Sequence, residues 1–408
     1  DPQQAFRCWD GNLKESFPEE DRQYVWATLA AQGARRHLPE ALEWFGKARA
    51  ISLPDEQLAW YARIALRQEN WAEVRAAIER MSPVEKGEPV WTYWLGRALS
   101  ALGMKDEGRA LLAKIAGEHH FYGLLAAEDL EMALQLPPKA APPTLEELTR
   151  VAAEGGIQRA LALYGLGLRT EGLAEWLWAV RTMDDRSLLA AAELAGRNRI
   201  WDRAINTADR TLSEHDFSLR YPAPYGEILE KHARVRNLDE PLVLALVRQE
   251  SRFIADAKSS AGAAGLMQLM PSTASRVAKK IGMKNYSPSR LGKPEANAAL
   301  GTSYLRQMLD GFGGNATLAC AAYNAGPGRA RRWRDARAIE GAIYVETIPF
   351  TETRQYVKKV LSNAVYYAAL RGEKQCSLKS RLGTIEGAAT ANGANGANGA
   401  NGANGTDE

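Results

Sequence analysis

The sequence predicts an all-α protein: a helical-hairpin superhelix, or solenoid, followed by a second α-rich domain. Three observations carry this. Trp26, Trp60 and Trp94 recur at a spacing of about 34, each in an amphipathic run that a polar turn joins to a second run, which is the period of stacked helical hairpins. Leu, Ala and Trp are abundant while β-branched runs are scarce. The 408 residues are 46% hydrophobic, enough for two or three packed domains. No apolar stretch approaches the ~20 residues that span a bilayer.

The first helices of the hairpins are "YVWATLAAQG", "LAWYARIALRQENW" and "TYWLGRALSALGMKDEG"; "PEALEWFGKA" and "WAEVRAAIERM" are second runs. The tryptophan rings belong in the groove between stacked helices. Four prolines in "LPPKAAPPTLEEL", 136–148, cannot sit inside helices, so a linker-like region interrupts the array there. "LAGRNRIWDRAINTA" echoes "ALRQENWAEVRAAI", and the array is expected to resume near 190. "RYPAPY" is a stiff connector. This divides the chain into a superhelical domain at 1–215, a second domain at 216–383 and a tail at 384–408. The tail contains "ANGANGANGANGANG", too polar and Gly-rich to bury a core, and is predicted to be disordered.

Charge is uneven. Residues 1–220 hold 27 basic and 33 acidic side chains, and residues 221–383 hold 25 basic and 13 acidic. A basic domain after an acidic one suggests a polyanion, either nucleic acid or an anionic cell-wall polymer. The chain begins at Asp1 with no signal-like segment and reads as processed or truncated. Cys8, Cys320 and Cys376 lack metal-ligand spacing and allow at most one disulfide. No metal site and no cofactor is predicted.

In the second domain "NLDEPLVLALVRQES" reads as a helix capped by Asp239, with Pro241 in its first turn. Leu242, Ala245, Leu246 and Gln249 fall on one stripe, and Glu250 lies beside it in the last turn. The helix dipole and apolar neighbours disfavour a negative charge there, and a general acid needs the protonated carboxyl. On spacing alone, an exposed or paired helix-end glutamate is the commoner case. The loop "SSAGAAGLMQLMP" follows. Its glycines let backbone approach a ligand, and Gln268 offers a donor and an acceptor to sugar amides and hydroxyls. Helices are predicted from Pro271 to Gly282, from Pro294 to Gly311, from the Asn315 cap to the break "AGPG", and from Thr351 onward. Tyr323 and Asn324 sit at that break, where side chains can point into a cleft.

"RQES", "GLMQLMP", "AAYNAGPGR" and "ETIPFTETRQYV", in this order and spacing, resemble the soluble lytic transglycosylase family of bacterial cell-wall enzymes. The resemblance is close over 220–372, and the preceding array resembles the family's superhelical part. Family arrays are usually longer and close into a ring, so an incomplete ring is expected here. The resemblance implies a goose-lysozyme-like catalytic fold acting on the glycan strands of peptidoglycan. It implies cleavage of the β-1,4 bond from N-acetylmuramic acid to N-acetylglucosamine without water, giving 1,6-anhydromuramoyl ends. Carried over by motif, Glu250 is the catalytic acid and base, and Ser259, Gln268, Met270, Tyr323, Asn324 and Glu352 bind substrate.

Plainer readings stand beside these roles: Met270 as core filler, Asn324 as a cap, Glu352 as a first-turn stabiliser. Asp256 reads as a solvated loop residue, Arg354 as structural, and Tyr366 and Tyr367 as packing. The implied partners are glycan strands and proteins of cell-wall synthesis or remodelling, without nucleic acid and without a transmembrane segment. The implied location is the periplasm, with the outer membrane or cell wall as a place of association and a signal already removed. Two alternatives are a hydrolytic muramidase on the same fold and a helical-repeat scaffold with an inactive catalytic domain.

Overall fold

A computed structural model of the chain describes residues 1–373 and 376–388. The protein is all-α, as the sequence predicts; the strands among the described residues, β1 (Ile339–Glu340) and β2 (Thr384–Ile385), are two residues each and pair antiparallel. The chain forms two compact units. One comprises Asp1–Met132, Phe312–Val357 and the described residues from Lys379 on; the other comprises Ala133–Gly311 and Lys358–Leu378. No helix among the described residues is long and apolar enough to cross a membrane.

The first unit is built on the predicted hairpins. Glu19–Arg35 pairs with Ala41–Gly46, Asp55–Arg67 with Trp71–Glu79, and Pro89–Ala101 with Lys105–Ile115. Trp26, Trp60 and Trp94 are all buried at these repeats. The last hairpin closes tightly because Gly108 has no side chain; a Cβ there would collide with the Gly96 carbonyl and Ser100. Much later residues pack into the same unit. Arg63 donates to Glu346 at 2.9 Å, and the Tyr122 hydroxyl donates to the other oxygen of that fully buried carboxylate. Arg67 donates to the Trp333 carbonyl, Thr347 and Asp335, and Arg97 forks onto Glu340. Residues 384–388, grouped with the tail by composition, supply β2, and Ala388 N–H donates to the Asp335 carbonyl at 2.8 Å. The Ala-Asn-Gly repeat lies outside the described residues.

In the second unit the proline-rich stretch is extended, and Lys139 bridges His215. Helices resume at Leu145, well before 190. The prolines end at Pro143, and Thr144 with Glu147 forms a capping box at once. The hairpin Gly155–Gly165 with Arg169–Ala179 turns through Gly167 (φ 77), and Asp185–Arg197 pairs with Trp201–Ala208. Trp176 is fully buried among Ile157, Val180 and Leu188, and its Nε1 donates to Thr207 at 2.9 Å. "RYPAPY" is packed rather than free. Tyr221 packs against Phe217 and Tyr366 with tilted rings and edge-on against Tyr367, and the Tyr367 hydroxyl donates to the Pro222 carbonyl.

Candidate active site

Glu250 lies in the last turn of the helix Glu240–Ser251. Asp239 caps that helix by accepting from Leu242 N–H at 3.1 Å, and Pro241 occupies its first turn. Every residue from Pro241 to Arg248 is buried, so the helix is covered all round instead of showing one apolar stripe. Glu250 is half-buried. The chain leaves the helix through two left-handed residues, Arg252 (φ 50) and Phe253 (φ 64). Such positions are unfavourable for side-chain-bearing residues and persist where packing over-determines them; here Phe253 is 1% exposed.

Two residues before Glu250, Arg248 anchors the same turn. Its Nε donates to the Arg220 carbonyl at 2.9 Å, its Nη2 reaches both Asp209 oxygens, and its guanidinium lies 4.7 Å from the Tyr221 ring. Burial works against its charge, but Asp209 and Tyr221 hold its pKa above the ordinary value. A half-buried carboxyl on a helix turn anchored in this way has the chemistry to take and return a proton.

The loop after this helix is held by its own backbone. Ser259 closes an exposed turn: its N–H donates to the Ala263 carbonyl and its Oγ accepts from Ala263 N–H. Gln268 is left-handed (φ 43), and its Nε2 donates to the carbonyls of Ala257 (3.1 Å) and Gly265 (2.8 Å). The amide therefore does not offer both groups outward as expected. Its donor braces the loop, and its Oε1 is the group with which it can meet a ligand. Met270 is 42% exposed, immediately before the helix Pro271–Lys280, so it is not core filler. Met267 is the one that fills the core, against Gly301.

Tyr323, Asn324 and Glu352 belong to the other unit. Tyr323 is buried near the end of the helix Ala316–Ala325, which Asn315 caps and which stops at Gly326 (φ 87). Asn324 Oδ1 accepts from Thr353 Oγ1 at 2.6 Å, tying that helix end to the first turn of Thr351–Leu370, where Glu352 is exposed. Asn324 is thus a tie between two helices and not a cap. Arg354 is structural, as expected: it donates to Ile348 and Thr351, and burial pulls its pKa down to about 10. The sequence reading overlooked Arg248, Glu346 and Asn297. Arg248 and Glu346 each open a quoted motif, "RQES" and "ETIPFTETRQYV", but nothing there names their partners, and Asn297 carries no signal, because the partners of all three are distant in sequence.

Comparison with known proteins supplies the context. The profile of the Transglycosylase SLT domain matches residues 227–344. That of the soluble lytic transglycosylase helical domain matches 347–375, and that of the soluble lytic murein transglycosylase L domain matches 150–211. The soluble lytic murein transglycosylase of Escherichia coli K12 is 31% identical over 339 residues, covering 82% of this chain and 52% of the relative. That of Salmonella typhimurium is 32% identical over 317 residues, covering 77% and 49%. The crystal structure of an inactive mutant of the lytic transglycosylase Slt from Pseudomonas aeruginosa superposes with a TM-score of 0.82 at 34% identity, covering 93% of this chain and 62% of that one. The 70 kDa soluble lytic transglycosylase of Escherichia coli gives 0.76 at 27% identity, with the same coverage. The chain spans about half the length of the curated relatives it matches. With its fold, its three matched domains and its four motifs, the chain belongs to the soluble lytic transglycosylase family.

Proposed function

We propose that this chain is a peptidoglycan lytic transglycosylase. It cleaves the β-1,4 bond between N-acetylmuramic acid and N-acetylglucosamine and leaves a 1,6-anhydromuramoyl end. The observation that carries the reading is Glu250, a half-buried carboxyl at the end of a rigid helix, inside the segment 227–344 that matches the transglycosylase domain. Glu250 protonates the bridging oxygen as the bond to C1 breaks. The substrate's own N-acetyl oxygen supports the developing positive charge at C1. Glu250, now a carboxylate, takes the proton from the muramoyl C6 hydroxyl, whose oxygen closes on C1. One residue serves twice because the second step restores its proton. Two-carboxylate glycosidases divide these tasks between residues. Ser259, Gln268 and Met270 line the glycan path, and by motif Tyr323, Asn324 and Glu352 also bind substrate, with residues 216–383 as the catalytic part and 1–215 as the superhelical part. The chain works in the periplasm on cell-wall glycan, beside proteins of cell-wall synthesis or remodelling.

Purified peptidoglycan strands digested with the protein and analysed by mass spectrometry test this. Anhydro ends, lighter by one water than reducing ends, are expected. Reducing ends would identify a hydrolytic muramidase instead, and an absence of cleavage would leave a scaffold.

A further inference from the structure

Asn297 stands out as a fully buried amide with every group matched. It sits in the helix Pro294–Gly311, about one turn from its start. Its Nδ2 donates to the carbonyls of Ala264 (3.0 Å) and Leu291 (2.9 Å), and its Oδ1 accepts from Met267 N–H (2.8 Å). Two of these three partners belong to the Ala264–Met270 loop, whose left-handed turns at Gly265 (φ 82) and Gln268 (φ 43) need external support. Gly265 is pressed so closely that a Cβ would collide with the Asn297 amide and the Leu291 carbonyl. Gln268 then folds its own amide back onto Gly265 and Ala257. Asn297 thus holds Ala264 and Met267, which flank Gly265 and Leu266 along the chain, and the Gly265 carbonyl in turn accepts from the Gln268 backbone and side-chain N–H groups.

We infer that Asn297 is a positioning residue for glycan binding, acting through the loop that carries Gln268 and Met270. The inference rests on the proposed glycan path. Asn297 itself, with no exposed surface, touches no substrate. No other side chain type fits its place without loss. Asp lacks the two N–H donors, and a smaller residue leaves the Leu291 carbonyl and the Met267 N–H without their partner, while the Ala264 carbonyl keeps only the Leu269 N–H.

The test compares Asn297→Ala with Thr302→Val in the full chain. Thr302 is equally buried on the same helix, but its hydroxyl bonds only to carbonyls of its own helix, Ala298 and Ala299. At a temperature well below both melting points, N297A should raise KM for soluble uncrosslinked strands and weaken binding of a chitotetraose probe by about tenfold or more, with kcat nearly retained. T302V should change neither. A merely structural role would lower the active fraction, and so the apparent kcat, without moving KM. N297A with KM and probe affinity within twofold of wild type, or T302V with the same KM rise, overturns the inference. If N297A does not fold, amide hydrogen exchange on the wild type decides. The Met267 N–H should be protected as well as core helix amides, and exchange at loop rates overturns the clamp. A wild type that binds chitotetraose but forms no anhydro ends would count against the proposed activity and leave the clamp standing.

Discussion

Arg248 and Asp209 are joined by a forked contact, with Nη2 at 3.2 and 3.0 Å from the two carboxylate oxygens. The arginine is 5% exposed and precedes Glu250 by two residues. The pair therefore ties the last turn of the Glu250 helix to the segment just after Trp201–Ala208. Removing one partner of such a pair leaves the other unmatched, typically at ~3–5 kcal/mol. Arg248→Met should destabilise by about 3 kcal/mol in urea denaturation, less than the upper figure because Asp209 is partly exposed. Arg248→Lys should recover little, because an ammonium cannot reach Arg220 and both Asp209 oxygens together. Full stability in the lysine variant would contradict this reading.

Glu250→Gln keeps the shape and removes the transferable proton. Release of anhydromuropeptides should fall by at least the ~10²–10⁴ associated with losing a general acid–base group. The melting temperature should hold, and affinity for chitotetraose should survive. Activity within a few-fold of wild type would sink the single-glutamate mechanism. Loss of the fold along with activity would make Glu250 structural.

A fragment of residues 216–383 should not behave as a folded catalytic domain. Phe312–Val357 packs in one unit with Asp1–Met132, and truncation strips Glu346 of Arg63 and Tyr122, Glu340 of Arg97, and Thr347 and Asp335 of Arg67. Low solubility or a broadened thermal transition is expected. A soluble fragment with a sharp melt and undiminished activity on intact sacculi would refute it.

His37 Nε2 lies 2.7 Å from the Thr347 carbonyl. Burial, then the Arg67 charge, lowers its pKa from 6.5 to about 3, against the opposing pull of that carbonyl and Asp335. The folded pKa is depressed, so the stability it contributes is complete above pH 6.5 and is lost progressively as pH falls toward 3. The ceiling is ~1.4 kcal/mol per pH unit, and the half-buried ring should deliver less. Melting temperature should drop between pH 7 and pH 5. His37→Asn, which tolerates the left-handed backbone at this position (φ 60), should flatten the slope. Identical slopes in the two proteins would exclude His37 as the source.

The sequence by itself determined what depends on near neighbours along the chain. The tryptophan period marks the hairpins because burial recurs once per unit, and Trp26, Trp60 and Trp94 are buried accordingly. Asp239, Asn315 and the prolines at 241, 271 and 294 set helix starts because capping acts within one turn. The four motifs identified the family because their order and spacing survive in the chain itself. Tertiary structure alone decided which distant segments share a body. The assignment of Phe312–Val357 to the unit of Asp1–Met132 rests on buried polar pairs such as Arg63 with Glu346, 283 residues apart. It also decided that the Gln268 donor turns inward and that Asn297 holds its loop, since a hydrogen bond depends on atoms meeting in space and local sequence does not record that meeting.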